Sequence, residues 1–199
     1  MDAMHRRQAV FALGIALVVG GGCQLPRHQP AAAATKREQI RIDCYSLLHD
    51  LLDQQKNVDK LLLVKLESDE LNHLIKTIAA ASAAGARALE RFAAQDGSFN
   101  LKQLSLPLGE IETRSAIAST KSRQLLTSAG VNFELKLLLT QAEALSYAWH
   151  LSKVAAAHES HPERVHHLTA LSDEMKDLHR QTVSLMRSRL IASRPRTDS

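Results

Sequence analysis

From Lys36 to Ala84 the chain contains neither glycine nor proline, and that unbroken stretch limits what it can fold into. Apolar residues recur within it at 40, 44, 47, 48, 51, 58, 61, 62 and 66. This is the three-and-four spacing of a helix with one apolar face. Thr35 and Glu38 stand at capping-box spacing, so the spacing predicts a helix starting near Lys36. Carried on to residue 95, such a helix would be about 90 Å long, far longer than its possible partners. A break is therefore expected near Ser68, with Asp69 and Glu70 forming a favourable first turn for the next helix. Composition points the same way. Aromatic residues make up only 4% of the chain, while abundant Ala and Leu favour helices over sheets.

The second helix is expected over 69–95. Its stretch from Ala79 to Ala88 is dominated by small residues, which let helices approach closely, and Asp96-Gly97 should end it. After a loop to Leu106-Pro107, a third helix over 108–128 uses Ile111, Ala118 and Leu125 and is closed by Gly130. The fourth, over 132–157, carries Phe133, Leu137, Leu138, Ala144, Leu145, Ala148, Trp149 and Leu151 around more than half its circumference, as a central element would. Ser160 and Glu163 make a second capping box ahead of a fifth helix, whose stripe is Val165, Leu168, Leu171, Met175, Leu178 and Leu185. The fold class read from this pattern is all-α, an antiparallel bundle of four to five helices over 36–192. Residues 193–199 read as a frayed basic tail.

The first 35 residues have a different character. His5, Arg6 and Arg7 precede an uncharged apolar run, AVFALGIALVV, and three glycines lead into Cys23. An export signal needs about 7–15 apolar residues and a spanning helix about 20, so the run is the length of a signal. The segment Val19-Gly20-Gly21-Gly22-Cys23 resembles the lipobox of bacterial lipoproteins, departing from it at Gly20, where the family usually carries Leu. The resemblance covers only the leader. It implies that residues 1–22 are removed as a signal peptide and that Cys23 is lipidated with several acyl chains. At about 0.8 kcal/mol per buried methylene, these make a stable membrane anchor. Gln24 in place of Asp implies sorting to the outer membrane, facing the periplasm, in a cell with two membranes. Cleavage at the glycines or at Ala31–Ala34 would instead give a soluble secreted protein, and an uncleaved short anchor is the other alternative. Residues 23–35 hold two prolines and no apolar periodicity, and read as a flexible linker.

The formal charge of +4 falls to +3 without Asp2, Arg6 and Arg7. Nucleic-acid binding needs a concentrated basic face, which this chain lacks, so no nucleic-acid partner is expected. The expected partners are the membrane, through the lipid, and a protein of the envelope. With Cys23 lipidated, Cys44 has no partner within the chain. It falls in line with Ile40, Leu47 and Leu51 and is expected to be a buried structural thiol.

Candidate site residues are few. On the fourth helix, Lys136, Glu143 and His150 share a solvent side, but Glu134, Gln141 and Ser152 fall on a line inside the apolar face. A buried carboxylate costs several kcal/mol unless it is paired, so Glu134 should meet Arg114, Thr113 or another basic residue on a neighbouring helix. Glu70-x-x-His73 and Glu163-x-x-His166 have the spacing used by ferritin-like di-iron bundles, although chance alone gives such pairs in a chain this rich in Glu and His. Five of the ten histidines lie between 150 and 167. Imidazole is a good ligand for zinc or copper, which makes His158, His161 and His166 candidate metal ligands beside Glu70 and His73. No Gly-rich phosphate loop, Gly-x-Ser-x-Gly elbow or Cys-x-x-Cys pair is present, and nothing in the sequence nominates a catalytic residue. The function read here is a lipid-anchored envelope scaffold or adaptor, with a metal-binding bundle as the alternative.

Overall fold

The computed structural model describes residues 36–64 and 68–193; Cys23, the leader, the linker and all but the first residue of the basic tail lie outside them. Helices run over Lys36–Gln55 (α1), Asp69–Gln95 (α2), Leu108–Leu126 (α3), Gly130–His158 (α4) and Pro162–Ala192 (α5), with a short 3-10 helix at Val58–Val64. The described residues contain no strand, and none of their helices is long and apolar enough to cross a membrane.

α1, α2, α4 and α5 form a ring in which α1 packs on α2 and α4, and α5 packs on the same two, while α3 lies outside with its main contact on α4. The start of α1, the end of α2, the end of α4 and the start of α5 meet through Arg41, Asp96, Glu159 and Arg164. At the other end of the bundle, the starts of α2 and α4 meet the end of α5 through Glu70, Glu134 and Arg189. Every packed pair in the ring is therefore antiparallel. The core between them is mostly aliphatic, with Leu48, Leu52, Leu71, Ile75, Ile78, Leu89, Leu137, Leu138, Leu168 and Met175 removed from solvent.

Local sequence explains the boundaries of α2. The Ser68 hydroxyl accepts from the Leu71 amide, and Asp69 and Glu70 occupy the first turn. The far end differs from expectation, because Asp96 stops the helix in an extended conformation and Gly97 does not take positive φ. α1 stops sooner than the expected break near Ser68. Its apolar spacing continues through Val58 and Leu61, but the backbone there tightens into the 3-10 turn, where every third residue shares a side. Gly130 has φ +53° and opens α4, so it belongs to the start of that helix and not to the close of α3. At the start of α5 the expected Ser160–Glu163 capping box is absent. His161 holds the cap position without a side-chain bond, while the preceding Glu159 carboxylate takes the amides of Ser160 and His161.

The buried side of α1 is also turned from its expected line. Arg41, Cys44, Tyr45, Leu48 and Leu52 are buried, whereas Ile40, Leu47 and Leu51 are only partly covered. The cause is Glu159, which draws Arg41 and Tyr45 inward. Cys44 is a free, buried thiol, and burial together with Asp43 pushes its pKa up to about 11. At neutral pH it is a packing group, not a nucleophile.

Small residues in α2 do what close packing requires. A Cβ on Gly85 would lie 2.9 Å from one Leu52 methyl and 3.2 Å from a Leu171 methyl, so α1 and α5 both crowd this point. Gly85→Val should destabilise the domain by about 1–3 kcal/mol in urea unfolding through overpacking. Gly130→Ala, in open space but with left-handed backbone, should cost about 1–2 kcal/mol in the same measurement.

Candidate functional site

The most ordered polar arrangement lies where four helix ends meet. Glu159, between α4 and α5, has a side chain fully removed from solvent. One oxygen accepts from the amides of Ser160 at 2.8 Å and His161 at 3.0 Å. The other accepts from the Tyr45 hydroxyl at 2.7 Å and from Arg41 Nη1 at 3.3 Å. Arg41 reaches on to Asp96 Oδ2, at 3.5 Å, and to the Ser98 hydroxyl. Arg164 closes the ring onto Asp96 at 2.7 Å. Phe99, folded back from the loop after α2, stacks on Tyr45 at 4.2 Å and lies under the Arg41 guanidinium at 4.5 Å. Arg37 adds contacts to the carbonyls of His158 and Glu159 at the end of α4.

The electrostatics follow from these contacts. Burial pushes the Glu159 carboxyl up, but the His161 amide, the Tyr45 hydroxyl, the Ser160 amide and Arg41 outweigh it and hold the group below its ordinary range. Asp96 is also held well below the carboxylate range, because Arg164 and both Ser98 donors outweigh its desolvation. Burial and the bond to Glu159 push the Tyr45 phenol far up. A carboxylate whose lone pairs are all taken, flanked by two permanent cations, neither gives nor takes a proton at neutral pH. The arrangement is a structural clasp.

The expected residues on α4 are buried as their angular positions required. Glu134, Gln141 and Ser152 are 8%, 2% and 0% exposed, while Lys136, Glu143 and His150 face solvent. The partner of Glu134 is not Arg114 or Thr113. Arg114 pairs with Glu110 and the Tyr147 hydroxyl, and Thr113 bonds the Gly109 carbonyl. Glu134 meets Arg189 from α5, with Nε to Oε2 at 2.7 Å, as a close ion pair whose N–H is not aligned as a hydrogen bond. The same guanidinium bonds the Ser68 hydroxyl and approaches Glu70. Gln141 is buried with no protein donor to its Oε1.

The residues read as possible metal ligands are not brought together. Glu70 and His73 are exposed at the start of α2, with Arg189 holding the place between Glu70 and Glu134. His158, half-buried, and His161 and His166, both exposed, lie at the opposite end of the bundle. One set of three donors does converge among the described residues. His49 and Asp53 of α1 and Glu90 of α2 have ligand atoms within 4.8 Å of one another.

Arg41, Tyr45, Glu159 and Arg164 were not singled out in the sequence, and Asp96 was read only as the end of the second helix. The signal for two of them is there, since Arg41 and Tyr45 sit four apart among the apolar residues of α1. Glu159 carries no such mark and reads as an ordinary turn residue. Comparison with protein families, with curated proteins and with solved structures gives no match, so the reading rests on these residues alone.

Removing one member of a buried ion pair typically costs about 3–5 kcal/mol, and Glu159→Ala should destabilise the domain by that order in chemical unfolding. Glu159 and Asp96 have folded pKa values below their unfolded ones, near 4. Their stabilisation is thus present above about pH 4 and is lost as pH falls through the folded values. Melting temperature should drop on acidification below that point, and Asp96→Asn should flatten the drop.

Proposed function

We propose that this chain is a lipid-anchored lipoprotein of the cell envelope, held by acyl chains on Cys23, and that its bundle is a non-enzymatic adaptor that binds a partner protein. In a cell with two membranes it sits at the outer membrane and faces the periplasm. The supporting observation for the adaptor role is α3. This helix of 19 residues buries only Leu125, and Leu108, Ile117 and Leu126 are 80%, 50% and 59% exposed. On α4, Val131 and Leu139 are also exposed, at 46% and 51%.

A helix that buries one side chain gains little from its own fold, because most helical stability comes from tertiary packing. Leu108 and Leu126 lie on one line of α3, and a second, amphipathic helix laid along that line would cover both, while Ile117 points to the opposite side. The occupant fitted to this face is a helix of an envelope protein. Charges of both signs frame it, with Glu110 and Glu112 near the start of α3 and Lys121 and Arg123 near its end. Lys36, the first described residue, lies on the same end as the Glu159 clasp, and α3 packs on α4.

A photo-crosslinking side chain at Leu108, introduced into the lipidated protein in its native cells, should give one discrete protein adduct. The same side chain at Ala170, exposed on α5, should give none. Leu126→Asp should abolish the Leu108 adduct without changing helicity, and Cys23→Ser should remove both fatty-acid labelling and membrane association. Equal adducts from both positions would overturn the adaptor reading. Unaltered labelling and membrane association in Cys23→Ser would overturn the anchor.

A further inference from the structure

We propose that His49, Asp53 and Glu90 form a binding site for one divalent transition-metal ion, with zinc the best fit, across the contact between α1 and α2. This is independent of the adaptor reading and uses none of the residues nominated from the sequence.

The site is built by helix geometry. His49 and Asp53 are four apart, so both project from one side of α1 one turn from each other. Leu52, next to Asp53, is the residue whose methyl sits against Gly85. The absence of a side chain at Gly85 lets α1 come close to α2. Five residues further along α2 this approach brings Glu90 to His49, with Nε2 to Oε1 at 3.2 Å. A tetrahedral ion with bonds of about 2.1 Å holds its ligand atoms about 3.4 Å apart. The His49–Glu90 contact is a hydrogen bond, in which Nε2–H donates to the carboxylate, and an ion would take the place of its proton; the two atoms already stand close to ligand–ligand separation, and Asp53 lies within the same 4.8 Å group.

The donors fit the ion in chemistry as well as spacing. The imidazole presents the Nε2 lone pair when its remaining proton is on Nδ1, so binding requires only the neutral ring. The two carboxylates neutralise a doubly charged ion. One nitrogen and two oxygens on three protein ligands match zinc with an open position, whereas calcium prefers six to eight oxygens. His49 is the rigid member, its side chain 15% exposed, while Asp53 and Glu90, at 45% and 53%, remain free to adjust. The competing cation is Lys56, which pairs with Asp53 through Oδ1. That lysine is 38% exposed, and a doubly charged ion would displace it. Because the donors come from two helices, an ion bound here fastens α1 to α2 and stabilises the folded state by mass action.

The test uses the full chain in mild detergent, stripped with EDTA and desalted, then titrated with zinc by calorimetry and with cobalt by visible absorption. The expected result is one ion per chain with micromolar affinity, a cobalt spectrum of low coordination number, and a rise in melting temperature with zinc. His49→Ala and Glu90→Gln should each weaken binding by at least about tenfold and remove the thermal shift. A combined His158→Ala, His161→Ala, His166→Ala variant should retain both. Glu90 is exposed, so its variant keeps the fold and gives a clear result even where His49→Ala does not. Binding no tighter than millimolar, binding unchanged in Glu90→Gln, or binding lost only with the three-histidine variant would overturn the proposal.

Discussion

One buried carboxylate organises this bundle. Glu159 sits in the turn between α4 and α5, and its two oxygens collect donors from the backbone of its own turn and from two side chains of α1. Desolvating an isolated charge there would cost several kcal/mol, so the helix ends must close around it with correct geometry or not at all. That requirement fixes the rotation of α1, brings its start to the end of α4, and through Asp96 and Arg164 adds the end of α2 and the start of α5. Aliphatic packing alone is tolerant of helix rotation and sliding. A ring of alternating charges is not.

A second, looser clasp closes the opposite end, where Arg189 gathers Glu134, Glu70 and Ser68. The two differ in solvent exposure, since Glu159 is wholly enclosed and Glu70 is open to water. Screening by solvent makes the exposed contacts weak, so the Arg189 end is held chiefly by its one buried pair with Glu134. Between the clasps, α1 and α2 meet at Gly85 closely enough to bring His49 and Glu90 together, which is how small residues in a core come to place donors on the surface. α3 stands apart from all of this. It contributes one fully buried side chain to the core and leaves Leu108, Ile117 and Leu126 exposed. For that reason it, and not the ring, is the part of the fold assigned to a partner.

What the sequence discloses here depends on how local the cause is. The observed α2 spans Asp69–Gln95 as expected, its start set by Ser68-Asp69-Glu70 and its end by Asp96, while Gly97 does not supply the left-handed cap its position suggested. The burial of Glu134 and Gln141 followed from their angle on one helix. The partner of Glu134 did not, because Arg189 lies 55 positions away and becomes a neighbour only once the ring order of the helices is set. Arg114 is nearer in sequence but belongs to a helix that touches α4 on its outer side. The end of α1 was hidden for another reason, since Val58 and Leu61 serve a 3-10 turn as readily as an α-helix. The metal-ligand triad escaped notice because His49 and Asp53 sit on one helix and Glu90 on another, with only the close contact at Gly85 to join them.

Arg41 and Glu159 act as one unit across the join of α1 and α4. A double-mutant cycle with Arg41→Met and Glu159→Gln, read by equilibrium urea unfolding, measures that directly. The expected coupling is about 1–3 kcal/mol, because each substitution alone takes one charged contact away from a buried group that keeps its remaining partners. Additive effects within about 0.5 kcal/mol would contradict it.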